Sequence, residues 1–235
     1  FEHINLSHSN FRGSNFTFAN IANADFTSTN LSGADLSAKD LTENILTGAD
    51  LRNANLTGVD LSYNELLNTI LTGADLTDAN LSGADLSTAN IFAIVDGSVI
   101  LEKTKLKGAN FTNANLTNTN LIGVDISETI LKGADLTGVK LEKAKANNAN
   151  LEGVDLSFKN LSKIRLVDAN LSKIILSGAE LSNAKLMGAN LSDADLTGAK
   201  LMDANLTNAN LTGANFHMAD LTRANLEGVI INETN

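Results

Sequence analysis

Residues 186–206 read LMGAN LSDAD LTGAK LMDAN L, with a leucine at every fifth position. The same period runs outward in both directions, to Phe1 and to Ile231. Of the 47 positions on this leucine lattice, 45 are Leu, Ile or Phe, and only Asp96 and Ala146 break it. A period of five matches neither the 3.6-residue turn of an α-helix nor the two-residue alternation of a plain strand. The chain is therefore a short-period repeat along its whole length.

A second lattice lies two residues before the leucine lattice and holds Ala at 25 positions. Asp or Asn stands between the two lattices, as in Ala189-Asn190-Leu191, and Ser or Thr follows the leucine. Ala-Asn-Leu then points inward, outward and inward, as in a β-strand, and the turn-forming residues after it bend the chain. Each pentapeptide is predicted to be a short strand and a corner. One such unit cannot bury its own leucine, so successive coils must stack at about 4.8 Å.

This A-(D/N)-L-(S/T)-G pattern resembles that of the bacterial pentapeptide-repeat family, and the resemblance covers essentially the whole chain. It implies an all-β fold: a right-handed quadrilateral parallel β-helix with four pentapeptides in each coil. Coils of this size would divide the chain of 235 residues into about 12 coils. We expect residues 1–235 to form a single domain.

The clearest break in the pattern lies at residues 92–99, where Asp96 takes a core position and Gly97 follows it. Asp-Gly flanked by β-branched residues favours a hairpin. Two interpretations stay open, a distorted coil and a protruding loop. A loop could carry function, which makes Phe92, Asp96 and Gly97 candidate loop residues.

Three smaller departures fall on inward positions. Ala146 replaces a core leucine, which indicates a small cavity or a neighbour that fills the space. Lys39 and Lys159 occupy the alanine lattice, and we expect their side chains to reach out at a corner or to mark local bulges.

The charge is distributed unevenly along the chain. The net charge is −10, with three bases and twelve acids in residues 1–100 but eleven bases and eight acids in residues 101–173. On a coil of four pentapeptides, seven bases gather along one corner as a candidate interaction strip: Lys103, Lys105, Lys143, Lys145, Lys163, Arg165 and Lys185. The same coil predicts an acidic column of Asp35, Asp75, Asp135, Asp155 and Asp195. The strip is either solvated charge or a binding strip for an acidic protein surface or a polyanion.

Catalytic and metal-binding signatures are absent from the sequence. It contains no Cys, and His3, His8 and His217 are dispersed, so we expect no metal site. Ser and Asp are repeat positions, and no phosphate-binding glycine motif occurs. A leucine-filled interior leaves no concave pocket for a substrate. We expect a protein that is not an enzyme and that uses no cofactor.

The leading functional hypothesis is a non-catalytic β-helical scaffold that mediates protein–protein interaction through its outer faces, with an unknown protein partner. The family resemblance implies an alternative, because some members mimic duplex DNA and bind or protect DNA gyrase and related topoisomerases. An acidic rod suits that role, whereas the basic middle of the chain interrupts it. A second alternative is a repeat module of a larger bacterial effector or surface protein.

The expected surroundings of the protein follow from composition. The negative net charge argues against direct nucleic-acid binding. No apolar run reaches the length of a membrane span and no signal peptide is visible, so we expect no membrane contact and favour the cytoplasm. Open coil ends expose strand edges, which would permit an end-to-end homodimer.

Overall fold

The repeat folds into stacked coils in a computed structural model, which describes residues 1–87, 89, 93–95, 98–100 and 104–232. Single-residue parallel bridges join positions four pentapeptides apart, as between Asn170 and Asn190 and between Asn190 and Asn210. The chain is thus an all-β protein, a right-handed parallel β-helix with four pentapeptides in a regular coil. None of the described segments is a helix, and none could cross a bilayer as one.

One pentapeptide shows why the sequence bends where it does. The N–H of Leu196 donates to the carbonyl of Asn215 in the next coil at 2.8 Å. The N–H of Thr197 donates to Oδ1 of Asp195 at 3.0 Å, which fixes the approach to the corner. At the corner, Gly198 has a φ of 64°, and Ala199 closes the turn by donating to the Leu196 carbonyl at 2.9 Å. The Asp or Asn before each leucine is therefore a structural residue of the turn.

Side chains on the two inward lattices fill the interior. Leu186, Leu191 and Leu196 are fully buried, as are the alanines that precede them by two positions. Four phenylalanines near the beginning of the chain pack edge to face in sequence: Phe1, Phe11, Phe16 and Phe26. The core therefore consists mainly of leucine and alanine, and the ring–ring contacts of the described residues lie in these first coils.

One of the described coils is longer than the regular coil by two pentapeptides. Asp75 bridges Lys105, and Asp85 bridges Asn115, so these partners are six pentapeptides apart in place of four. An insertion of whole pentapeptides preserves the leucine register, while residues 105–115 move two sides around the coil relative to regular spacing. The predicted acidic column is therefore wrong: the position stacked on Asp75 is a lysine.

The lengthened coil contains two short strands, β1 (Ala93–Val95) and β2 (Ser98–Ile100). They pair antiparallel, with Ile94 opposite Val99. Phe92, Asp96 and Gly97 lie outside the described residues. A functional loop at 92–99 stays a prediction.

The coils divide into two compact units. Unit 1 comprises Phe1–Asn120 with Thr137–Val139, and unit 2 comprises Leu121–Leu136 with Lys140–Asn235. Each unit has its own parallel bridges and its own buried leucine and alanine positions. A single domain over the whole chain and the expected total number of coils stay predictions.

Polar residues on the alanine lattice bind main-chain carbonyls. Nζ of Lys39 donates to the carbonyls of Thr17 at 2.7 Å and Ala19 at 3.1 Å. The ammonium group of the half-buried Lys39 is therefore held by the preceding coil, and its place at a corner or at a local bulge stays a prediction. Nδ2 of the buried Asn64 likewise donates to the carbonyl of Asn44 at 2.8 Å.

Candidate functional site

Five cations of unit 2 lie on adjacent coils and form what we call the basic face: Lys143, Lys145, Lys163, Arg165 and Lys185. Consecutive parallel bridges join Lys145 to Arg165 and Arg165 to Lys185. The N–H of Arg165 donates to Ala144 at 3.0 Å, and the N–H of Leu166 donates to Lys185 at 2.7 Å. These main-chain bonds hold the side chains of the column about 4.8 Å apart from coil to coil.

The corner before this column carries two further lysines in an unusual conformation. Lys143 and Lys163 both have a φ of 60°. In the preceding coil this corner is occupied by Gly123, with a φ of 68°. In the following coil it is occupied by Asn183, with a φ of 61°. Gly and Asn adopt this conformation readily, whereas Lys does so at a cost of about 1 kcal/mol or more. The corner therefore keeps two lysines where glycine would be less strained.

Most of the basic face lacks a counter-charge. Lys145 forms a long ion pair with Asp125, at 3.8 Å between Nζ and Oδ2, and both side chains are about half exposed, at 47% and 49%. No ion pair within the described part of the chain involves the other four cations. A surface pair of this kind contributes little, so the positive charge of the face is available to a partner.

Two other lysines of unit 2 form ion pairs. Nζ of Lys132 lies 3.1 Å from Glu152, and Nζ of Lys200 lies 3.5 Å from Glu180. Both lysine side chains are more than half exposed. They provide a direct contrast with the basic face on the same β-helix.

The acid closest in sequence to the basic face is Glu142. Its Oε1 accepts a hydrogen bond from Nδ2 of Asn160 at 3.1 Å, and its Oε2 is buried without a hydrogen-bond partner in the described structure. This carboxylate is directed against the next coil and reduces the positive potential beside Lys143.

Apolar side chains lie next to the basic column. Val167 and Met187 are half-buried and follow Arg165 and Lys185 by two residues, on consecutive coils. The N–H of Asp168 donates to the carbonyl of Met187 at 2.9 Å, which aligns the two positions. The face thus offers charge and an apolar strip side by side.

Carboxylates of the turns are held in their ionised form. The hydroxyl and N–H of Ser157 donate to Asp155 at 2.6 and 2.8 Å and lower the pKa of this carboxyl group. The pKa of Asp195 is lowered by hydrogen bonds from Ser177 and Thr197. These acids are bound to the repeat itself, and their charge stabilises the corners.

The remaining two candidates of the interaction strip are not among the described residues of unit 2. Lys105 belongs to unit 1, where its Nζ lies 2.5 Å from Oδ2 of Asp75. Lys103 lies outside the described residues. Within the described ranges, no cluster of three or more His, Asp or Glu residues could hold a metal ion. The spacing of the sequence brings five of the seven strip residues onto unit 2, and the role of all seven as an interaction strip stays a prediction.

Some corners of the β-helix carry an exposed aromatic side chain. Phe158 is 83% exposed at the corner before Lys163. Its ring lies over Gly178 of the next coil, where a Cβ atom would be 2.6 Å from the ring. Only glycine leaves room for the ring to lie flat there. An aromatic residue at a corner, followed four pentapeptides later by glycine, therefore predicts a ring stacked on the next coil. This pattern is visible in the sequence but was missed there.

A buried apolar interior and side chains presented coil by coil on the outside define a repeat scaffold. The sequence matches the family model described as pentapeptide repeats, in eight copies, over residues 1–37, 24–62, 54–91, 101–133, 134–163, 164–203 and 189–228. The chain belongs to the pentapeptide-repeat family. No curated protein matches it.

Solved structures of the same family resemble the chain. HetL, involved in heterocyst differentiation regulation in the cyanobacterium Nostoc sp. strain PCC 7120, is 26% identical over 100% of this chain and 88% of its own, with a TM-score of 0.26. Rfr23 from the cyanobacterium Cyanothece 51142 is 34% identical over 53% of this chain and 89% of its own, with a TM-score of 0.24. QnrB1, a plasmid-mediated fluoroquinolone resistance protein, is 23% identical over 84% of this chain and 89% of its own, with a TM-score of 0.34.

Proposed function

We propose that the chain is a non-catalytic scaffold whose basic face docks an acidic segment of a partner protein. One observation carries this proposal: four cations of three adjacent coils have no ion-pair partner among the described residues, on a chain whose net charge is −10. Lys132 and Lys200, outside the face, pair with acids, whereas the cations of the face are gathered on adjacent coils. An unneutralised cluster attracts an oppositely charged partner and accelerates its association.

The composition of the face favours a protein over a nucleic acid. Val167 and Met187 place an apolar strip beside Arg165 and Lys185, and a protein segment with alternating acidic and apolar side chains could contact both. A phosphate backbone would use only the charges, and the negative charge of the chain as a whole would repel it. The proposed partner is therefore an acidic segment with at least one apolar side chain.

The proposal is tested by fluorescence anisotropy with two probes, labelled poly-glutamate and a labelled glutamate–tyrosine copolymer. The wild-type chain should bind both, more weakly as salt increases, and should prefer the copolymer. The double charge reversal Lys145→Glu and Arg165→Glu should weaken binding at least about tenfold, because two attractions become repulsions.

A matched control separates this face from net charge. The double reversal Lys132→Glu and Lys200→Glu changes the net charge by the same amount at exposed lysines outside the basic face. It should leave binding within about twofold of the wild-type value. Equal losses for both double variants would show that only the net charge matters, and the docking face would then be rejected.

A further inference from the structure

A groove on unit 1 is lined by basic residues, although the surrounding part of the chain is acidic. It measures about 420 Å³ and is lined by Arg12, Asn30, Ser32, Gly33, Arg52 and Asn53. The first 100 residues contain three bases and twelve acids, yet two of the three bases line this groove and no carboxylate does. Two other grooves of the same unit are lined by acids, one by Glu43 and Glu65 and one by Asp40 and Glu43.

The coil spacing creates the groove. Arg12, Ser32 and Arg52 follow one another at intervals of four pentapeptides, in the register fixed by the bridges from Asn10 to Asn30 and from Asn30 to Asp50. The two arginines are therefore two coils apart, about 10 Å between their Cα atoms. The intervening coil supplies only small residues between these long side chains.

Glycine at the corner keeps the centre of the groove open. Gly33 has a φ of 67°, and a Cβ atom at this position would meet nothing within 4 Å. The side chain of Asn53 is directed away from it, because its Oδ1 lies against Gly73 of the following coil. A small ligand could rest on the main chain between the two arginines.

The polar groups of the groove are mainly donors. The guanidinium group of Arg12 makes no hydrogen bond or ion pair with any residue that the structure describes. Oδ1 of Asn30 accepts from the N–H of Ser32 at 3.0 Å and from its Oγ at 2.7 Å, which leaves the Asn30 amide nitrogen with N–H groups to donate. Nε and Nη2 of Arg52 donate to Oδ1 and Oδ2 of Asp50 at 2.8 and 2.5 Å. These bonds fix the Arg52 guanidinium group on the side of the groove opposite Arg12.

We propose that this groove binds a phosphate group, either free or as a monoester. An unpaired guanidinium group, an amide donor and a second guanidinium wall form a site for an oxyanion. The two walls lie on different coils, so an anion that contacts both needs oxygens pointing in more than one direction. Tetrahedral phosphate has them, whereas a carboxylate presents both oxygens on one edge.

The test is an NMR titration of the ¹⁵N-labelled chain at constant ionic strength, with inorganic phosphate, O-phosphoserine and acetate in separate arms. The Gly33 amide and the Arg12 Nε–H signal should shift and saturate with phosphate in the millimolar range. Acetate should shift them weakly and without saturation. Comparable binding of phosphoserine would indicate a monoester ligand, and binding of inorganic phosphate alone would indicate a free anion.

Two variants and two controls locate the site. Arg12→Gln should weaken phosphate binding at least about tenfold by removing the unpaired charge, and Gly33→Asp should abolish it by placing a carboxylate in the groove. Asp is accommodated at such a corner, since Asp78 has a φ of 57°. The controls are Gly58→Asp, at another open corner with a φ of 63°, and Arg223→Gln, which removes an arginine bound to Asp203.

Both controls should bind phosphate as the wild-type chain does. The inference fails if no signal saturates with phosphate, if acetate binds equally well, or if Gly58→Asp weakens binding as much as Gly33→Asp. Chemical shifts distant from the groove report folding in the same spectra, so an unfolded variant would be recognised and Arg12→Gln, at an exposed side chain, would decide the question.

Discussion

Truncation of one leucine tests how the interior is packed. Leu186 is fully buried between Leu166 of the preceding coil and Leu206 of the following coil. Leu186→Ala removes three buried carbon atoms, which at about 0.8 kcal/mol each accounts for about 2.4 kcal/mol. The coils above and below are fixed by main-chain bonds such as Leu186 N–H to Asn205 at 2.7 Å, so the cavity cannot close. We expect a total loss of about 3 to 4 kcal/mol in the free energy of unfolding.

Urea denaturation followed by circular dichroism measures this loss, with Met187→Ala as the control. Met187 is the next residue and points outward, half-buried, so its truncation should cost less than about 1 kcal/mol. Because each coil contacts only its neighbours, hydrogen exchange should accelerate most in the coils next to residue 186. Equal losses for the two variants, or a loss below about 1 kcal/mol for Leu186→Ala, would refute the packing described here.

Three further predictions concern the corners and the surface. Gly178→Ala should destabilise the chain more than Gly198→Ala in thermal melts, because both have a φ of 64° but only the first meets a ring, that of Phe158; equal losses would contradict the ring–glycine contact. Hydrogen bonds lower the pKa of Asp195 in the folded chain below 3.8, the value expected in the unfolded chain. The ionised carboxylate therefore contributes fully to the free energy of unfolding above pH 3.8, and this contribution is lost as the pH falls through the folded-state pKa. The midpoint of urea unfolding should therefore decline in acid, and less steeply for Asp195→Asn than for the wild type. In a DNA gyrase supercoiling assay, micromolar protein should change nothing, because the basic face interrupts the acidic surface that a DNA mimic needs; protection or inhibition of gyrase would favour the alternative.

The leucine lattice predicts the fold because a period of five permits few arrangements. Leu186, Leu191 and Leu196 are all buried, as stacking requires. A coil of four pentapeptides also places Lys145, Arg165 and Lys185 on one column, and the bridges have that spacing. The alternation of inward and outward residues and the volume of leucine determine both the buried core and the stacking of these cations. Both could therefore be predicted from the sequence alone.

The sequence marks the place of the lengthened coil, at the break in residues 92–99, but not the number of added pentapeptides. Two added pentapeptides keep every leucine in register, so the lattice gives no sign that Asp75 is followed by Lys105 in its column. Any column drawn across residues 76–104 therefore failed. The role of Lys39 was also out of reach, since its bonds to Thr17 and Ala19 depend on the conformation of a corner in another coil.

The proposed phosphate-binding groove could be predicted from the sequence only in part. Arg12 and Arg52 are eight pentapeptides apart, which is two regular coils, so the coil period alone would have aligned them. Their significance depends on the open corner at Gly33 and on the direction of the Asn53 side chain. These features depend on the folded conformation of the corners and cannot be inferred from residue spacing.

Spin labels on the basic face measure the coil register most directly. The chain has no Cys, so Lys145→Cys and Lys185→Cys can be labelled cleanly at exposed positions. Their Cα atoms should lie two coils, about 10 Å, apart, and the doubly labelled chain should show strong dipolar broadening relative to each single variant. A doubly labelled spectrum equal to the sum of the single spectra would mean that these positions are not stacked, and the basic face would not exist.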